Sequence, residues 1–254
     1  MKDFAEILKN TNVPEGHAGI FFMGQAGFII KDSEGHLVAY DIYLSDCCER
    51  EFGFKRMLAK LLEPYDITFD AIICSHGHYD HFDKDAIPEL IKDAKTALYT
   101  TKDGIDELVA LGIPAERATL IERGGTLELF GGSIKASFVY CDHGELAPFA
   151  VGTVFDIAGK KIYFAGDTAY RPQELVNEKT TGCDFAALPI NGAFGNLNET
   201  EGAEIASEIK AGITVPCHFW NFAEHGGDPM KFMEKAKALG VNYKLMHQGE
   251  FILI

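Results

Sequence analysis

The chain is predicted to fold as an α/β protein in which two β-sheets pack together and helices cover both outer faces. Three observations lead there. Short apolar runs bounded by glycine turns occur in two separate groups, one in each half of the sequence. Each group gives way to alternating strand-like and helix-like runs, the signature of α/β layering rather than of an all-β sandwich. Nothing in the 254 residues reads as a linker, a low-complexity tract or a break in composition, so residues 1–254 are expected to form one domain.

In order along the chain, residues 3–9 have the spacing of a short helix, and 19–23, 27–31 and 37–41 form an antiparallel meander. The compact apolar run 71–75 is a strand that stops at a histidine cluster. Residues 83–94 follow with helical spacing at Ile87, Leu90 and Ile91, which puts the cluster in a strand-to-helix loop. Strand and helix then alternate through 97–100, 102–111 and 118–121. A second meander begins near Thr126 and runs through 134–140, 152–157 and 161–165, with turns at Gly131-Gly132 and Gly159-Lys160. Strands at 185–188 and 213–216 flank a helix at 200–210, and 229–239 is the last helix.

Composition narrows the function classes. Apolar residues make up 47% of the chain, yet no stretch reaches the roughly 18 apolar residues of a membrane span. The first ten residues lack the apolar run of a secretory signal, so a cytoplasmic location and no membrane partner are expected. The six cysteines, Cys47, Cys48, Cys74, Cys141, Cys183 and Cys217, are scattered without a C-x-x-C pair and read as reduced thiols. A net charge of −15 with dispersed basic residues argues against nucleic acid as a partner. A small anion is still within reach of a metal pair or a local Arg/Lys cluster. A symmetric homo-oligomer is the default expectation for assembly.

The chemistry concentrates in Ser75-His76-Gly77-His78-Tyr79-Asp80-His81. His76, His78, Asp80 and His81 directly follow a strand, and imidazole with carboxylate suits Zn, Mn or Fe. A loop leaving the strand can turn His76 and His78 toward one metal while Asp80 and His81 reach a second. Further donors follow other predicted strands: His143, Asp167 within Gly166-Asp167-Thr168, and His218. Strand ends on one edge of a sheet converge, so these three can close the cage that the first four open. Asp167 is the natural bridge, since its two oxygens can serve two cations.

The order of these motifs resembles the metallo-β-lactamase superfamily, whose αββα four-layer sandwich of two mixed sheets flanked by helices matches the predicted layering. More narrowly, the chain resembles the L-ascorbate-6-phosphate lactonase-like branch of that superfamily. The residues that carry this likeness are Gly24-Gln25-Ala26-Gly27-Phe28, Asp41 with Tyr43-Leu44-Ser45, Gly53-Phe54-Lys55-Arg56, the histidine cluster with Phe82-Asp83, Pro189-Ile190-Asn191-Gly192 and Pro216-Cys217-His218-Phe219. The resemblance implies that His76, His78 and His143 hold one divalent metal ion. It implies that Asp80, His81 and His218 hold a second, with Asp167 between the two. Asp41 resembles the family's aspartate that steadies the ligand loop by hydrogen bonding. Where related sequences commonly have Asp-Pro-Tyr, this chain has Asp41-Ile42-Tyr43.

The resemblance and the donor pattern together predict a hydrolase with two Zn or Mn ions per chain, in which metal-activated hydroxide attacks an ester-type carbonyl, such as a lactone of a small, phosphorylated sugar-like molecule. Asp80 and Asp167 are the expected catalytic residues. Asp80 either orients the hydroxide and passes its proton on, or is a ligand only. Lys55, Arg56 and Arg171 are candidate anchors for a substrate anion, against the ordinary alternative of solvated surface cations. Asn191 and Trp220 are candidates for lining the substrate pocket near His218, with loop or core packing as the alternative. His225 is a further candidate pocket residue, while His17, His36 and His247 have no cluster partner. Cleavage of a small phosphodiester and a noncatalytic metal-binding or ligand-sensing role are the competing readings.

Overall fold

The computed structural model describes residues 4–254. The chain runs α1 (Phe4–Asn10), β1 (Gly19–Gly24), β2 (Gly27–Lys31), β3 (Leu37–Tyr40), α2 (Cys47–Phe52), β4 (Ala71–Cys74), α3 (Ile87–Leu90), β5 (Ala97–Thr100), α4 (Lys102–Ala110) and β6 (Ala118–Leu120). It continues with β7 (Thr126–Leu129), β8 (Ile134–Val139), β9 (Gly152–Ile157), β10 (Lys160–Phe164), α5 (Pro172–Leu175), β11 (Phe185–Pro189), α6 (Glu199–Ile209), β12 (Ile213–Cys217), α7 (Pro229–Leu239) and β13 (Phe251–Leu253).

The strands form a seven-stranded sheet, ordered β13-β1-β2-β3-β4-β5-β6, and a six-stranded sheet, ordered β12-β11-β10-β9-β8-β7. Both are mixed. In the first, β13, β1, β2 and β3 pair antiparallel and β3 to β6 parallel. In the second, β7 to β10 pair antiparallel and β10 to β12 parallel.

Alternation along the strands divides the core into layers. Ile20, Phe22, Phe28, Ile30 and Tyr40 pack between the sheets against Phe155, Phe164 and Phe185. The rings of Phe28 and Tyr40 each lie 4.7 Å from that of Phe164. The intervening residues Phe21, Ile29, Ala39 and Ile72 face outward, where Leu8 of α1, Leu90 of α3 and Leu108 of α4 cover them. On the other sheet Tyr163 and Leu188 meet Ile205 and Ile209 of α6, and α7 adds Phe232 and Ala236 beside Ile190. The result is the four-layer αββα sandwich. Because both faces of the central strands are buried, they read as continuous apolar runs rather than alternating ones.

Several local expectations are corrected. The helix expected over 83–94 is confined to Ile87–Leu90. Asp83 spends its carboxylate on the backbone N–H groups of Leu44, Ser45, Asp85 and Ala86, and Asp93 accepts from Lys95 to turn the chain into β5. The hairpin between β9 and β10 turns at Ala158-Gly159 rather than Gly159-Lys160: those two residues have φ of 55° and 79°, and Lys160 already pairs with Ile157. A two-residue turn with positive φ at both positions fits the twist of the flanking strands. The helices α2 and α5 and the strand β13 carry no sequence signal of their own; at six, four and three residues they are too short to show a period. Residue 3, the expected start of the first helix, lies outside the described residues. All six cysteines are buried free thiols. No helix among the described residues is long and apolar enough to cross a membrane.

This topology positions the site. The segments after β3, β4, β8, β10 and β12 carry Asp41, His76 to His81, His143, Asp167 and His218 to one edge of the sandwich, with the β1–β2 turn beside them.

Candidate metal centre

The histidine loop is held from beneath by Asp41, which lies in the left-handed region at φ 46°. Its Oδ1 accepts the Ser75 N–H at 2.6 Å, and its Oδ2 accepts both the Ser75 hydroxyl at 2.6 Å and His81 Nδ1 at 2.8 Å. A carboxylate only accepts, so the His81 proton sits on Nδ1 and Nε2 faces the other donors. His78 Nε2 donates to the Leu146 carbonyl at 3.1 Å, which leaves Nδ1 for the centre. Gly77 is required where the loop crosses α4: a Cβ there would lie 2.9 Å from the Asp103 carbonyl carbon. Gly166, at φ 68°, lets the chain turn beside Val151 and present Asp167.

His81 Nε2, His218 Nε2, Asp80 Oδ2 and Asp167 Oδ1 form a closed group. His81 lies 3.2 Å from His218, 3.6 Å from Asp80 and 3.3 Å from Asp167. His218 lies 3.3 Å from Asp80 and 3.0 Å from Asp167. Four tetrahedral donors on bonds of about 2.0–2.2 Å would stand about 3.3–3.6 Å apart, so these atoms are close to the spacing that one cation imposes. His76, His78 and His143 form a neighbouring group whose donor atoms lie within 4.8 Å of one another. Asp167 touches both: its Oδ2 is 3.7 Å from His143 Nε2 and accepts from Asn196 Nδ2 at 2.8 Å.

Four atoms of this cluster, His76 Nε2, both ring nitrogens of His143 and Asp167 Oδ1, are buried with no hydrogen-bond partner. Buried polar atoms are rarely left so. Imidazole and carboxylate are the donors that divalent transition metals take, so the residues present fit such ions.

The electrostatics separate the histidines. In the metal-stripped chain, burial alone would lower His81 and His218, but Asp167 and Asp80 outweigh it, holding His81 well above its ordinary range and His218 at about 9. Burial would raise Asp80 and Asp167; the His81 and His218 cations reverse this and hold both carboxyls well below theirs. His76 and His143 are lowered by burial, with neighbouring imidazoles adding to it.

The cluster opens into a pocket of about 370 Å³ lined by Cys48, Phe52, Phe54, Tyr79, Glu107, Leu146, Phe194 and His225 as well as by donors. None of the expected substrate contacts Asn191, Trp220, Arg56 and Arg171 lines it. Arg56 turns inward, donating to the Tyr43 and Ser45 carbonyls at 3.2 and 2.6 Å with its guanidinium over the Tyr43 ring. Arg171 pairs with Asp142 at 2.9 Å. Lys55 is exposed and outside the pocket. Asn191 is buried in its own loop, reaching the Ala193 carbonyl. Trp220 is half exposed against Phe219, on a separate surface depression. His36 pairs with Asp32, His17 with the Glu15 carbonyl, and His247 is exposed.

Gln25 and Asn196 play parts that the sequence alone does not assign, and His225, an expected pocket residue, plays one more. His225 lines the pocket and also belongs to a third donor group with Asp80 and His218, its ring 5.1 Å from that of His218 and nearly parallel. Burial and then His218 lower it to about 4. Gln25, at φ 54°, sends Nε2 to within 2.8 Å of Asp80 Oδ2 and 3.2 Å of His225 Nδ1. Asn196 holds Asp167, as above. A conspicuous signal exists only for His225, seven residues after His218 in a polar loop; the glycine-bounded turn that carries Gln25 is visible in the sequence, but not its direction.

Comparison with known proteins agrees with this geometry. Residues 42–219 match the family model described as the Beta-lactamase superfamily domain. A UPF0173 metal-dependent hydrolase from Thermoplasma volcanium is 34% identical over 181 residues, 69% of this chain and 77% of that one. Another from Rubrobacter xylanophilus is 26% identical over 92% of this chain and 96% of its own. A metallo hydrolase structure from Ignicoccus hospitalis superposes with a TM-score of 0.72 at 20% identity, covering 94% of this chain and 98% of that one. The metallo-β-lactamase fold protein YhfI from Bacillus subtilis gives 0.71 at 16%, covering 93% and 99%. At those identities the structures speak for the fold alone. Sequence match and donor cluster together place the chain in the metallo-β-lactamase superfamily, in its UPF0173 family of metal-dependent hydrolases.

Proposed function

We propose that the chain is a two-metal hydrolase that cleaves the ester bond of a lactone or related ester in a small molecule. The observation that carries this is Asp167, whose Oδ1 faces His81 and His218 while its Oδ2 faces His143. A carboxylate so placed serves both donor groups and fixes their separation. A bound pair of zinc or manganese ions, both compatible with these donors, would lower the pKa of a shared water toward about 7 and polarise a carbonyl oxygen.

The chain's own residues supply the rest. His76, His78 and His143 would hold one ion and Asp80, His81 and His218 the other, with Asp167 common to both. Asp41 orients His81 by accepting its Nδ1 proton. Asp80 is partly exposed toward the pocket while Gln25 fixes its Oδ2; in this reading it orients the attacking water and passes the proton released on attack to the leaving oxygen.

The resemblance to the lactonase-like branch favours an ester-type carbonyl over a phosphodiester. The positions of Arg56 and Arg171 give no support to a phosphate anchor. A hydrolysis screen of the zinc- or manganese-loaded protein over lactones, carboxylic esters, sugar-phosphate lactones, phosphodiesters and thioesters tests the proposal. Lactone or ester turnover well above the rest is expected. Cleavage of phosphodiesters alone would overturn it.

A further inference from the structure

We infer that the pocket selects uncharged substrates through an apolar or aromatic group and rejects phosphorylated ones. The chemistry rests on the hydrolase reading above; the selectivity rests on the wall of the pocket. Rings run unbroken from the rim to the donors. Phe52 lies 5.5 Å from Tyr79 and 5.9 Å from Phe54, Phe54 lies 5.7 Å from Phe194, and both Phe54 and Phe194 lie 5.4 Å from His225, which stacks on His218. At the rim Phe52 is 57% exposed, Phe194 47% and Leu146 58%. Large apolar side chains grouped around the mouth of a cleft, rather than scattered singly, mark a binding surface.

Phe194 adds a second observation. Its φ of 55° lies between glycines at 61° (Gly192) and 84° (Gly195), a conformation that a bulky residue adopts only when its surroundings hold it there. In that conformation its ring lines the pocket. Charge is the third. Among the described residues no lysine or arginine lines the pocket, and its one ionisable group apart from Cys48, Tyr79 and the histidine and aspartate donors is Glu107. The nearby cations are engaged elsewhere: Lys84 lies over the Tyr79 ring and pairs with Glu51 at 2.9 Å, and Arg56 is bound to the Tyr43 and Ser45 carbonyls. With the ester group seated at the donors, a phosphate on the rest of the substrate would lie beside the rim rings and Glu107 with no lysine or arginine in the wall to meet it, at a desolvation cost that an alkyl or aryl group does not incur.

Equilibrium binding of uncleavable lactams separates this inference from the hydrolase reading. Calorimetric titration of the zinc-loaded protein with 5-alkyl-2-pyrrolidinones from methyl to hexyl should give affinities rising about threefold to fourfold per methylene over the first few carbons, the worth of a buried CH₂. The analogue carrying a phosphate in place of the alkyl chain should bind at least about tenfold more weakly than the hexyl compound. Phe194→Ala and Phe52→Ala should flatten the series without changing the thermal midpoint materially, because both side chains are exposed. A flat series in the unaltered protein, or a phosphate analogue that binds as tightly as the hexyl one, overturns the inference. Turnover of the matching lactones is scored separately. Lactam affinities that rise with chain length alongside no lactone cleavage would refute the ester reading and keep this one; cleavage with a flat series would do the reverse.

Discussion

Asp41 determines which nitrogen of His81 faces the donor group, and through Ser75 it also fixes where the histidine loop leaves β4. Replacing it with Asn keeps the size but removes the charge that favours the Nδ1–H tautomer. Asp41→Asn is expected to weaken metal affinity about 10–100-fold, the usual effect of losing such a partner, as read by competition with a chromogenic chelator. At this scale the site is largely legible in the sequence, for a physical reason. Metal donors must be His, Asp or similar, and they collect where strands end, so His76, His78, Asp80, His81, His143, Asp167 and His218 stand out as polar residues closing apolar runs. Gln25 and Asn196 do not, since a single amide in a loop carries no period and its direction depends on backbone turns that folding alone reveals. Arg56 and Arg171 mislead because a cation near a site in sequence has a long side chain, and here each reaches back to carbonyls or a carboxylate of the scaffold.

The elements matter because they hold strand ends in register. Phe164 closes β10 three residues before Asp167, and its ring packs against Phe28 and Tyr40 of the opposite sheet. Truncating it opens a cavity at the seam of the two sheets. Phe164→Ala is expected to cost about 3–5 kcal/mol of stability, measured by urea unfolding of the metal-loaded protein, and to lower metal affinity as well, because the strand that presents Asp167 loosens. Most of the strands are readable as apolar runs between glycine turns, and α4, α6 and α7 from their helical spacing. The helix expected from Asp83 is too long because Asp83, a plausible helix-start residue by type, is a tether: it binds the backbone of Leu44 and Ser45 across the loop after β3. β13 escapes a sequence reading because its three residues pair with β1 only through tertiary contact.

For the whole molecule, the donor cluster couples stability to pH and to metal. In the metal-stripped chain His218 and His81 are held above their unfolded value of about 6.5. Their contribution is complete below that pH and lost as pH rises, for His218 through about 9. His76, His143 and His225 are held below about 6.5, so their contribution is complete above it and lost as pH falls. The depressed Asp80 and Asp167 carboxyls add a further loss at acid pH. Thermal unfolding of the stripped protein should therefore be most favourable to the native state near about pH 6.5 and decline on both sides. The metal-loaded protein should not decline between about pH 6.5 and 9, because ligation requires neutral imidazoles. The most direct test of the central claim is elemental analysis of the chain after reconstitution with zinc or manganese and exhaustive dialysis, alongside Asp167→Ala. Two equivalents per chain, falling in the variant together with loss of hydrolysis, is the predicted result. No retained metal, or full metal content and full hydrolysis in Asp167→Ala, would contradict it.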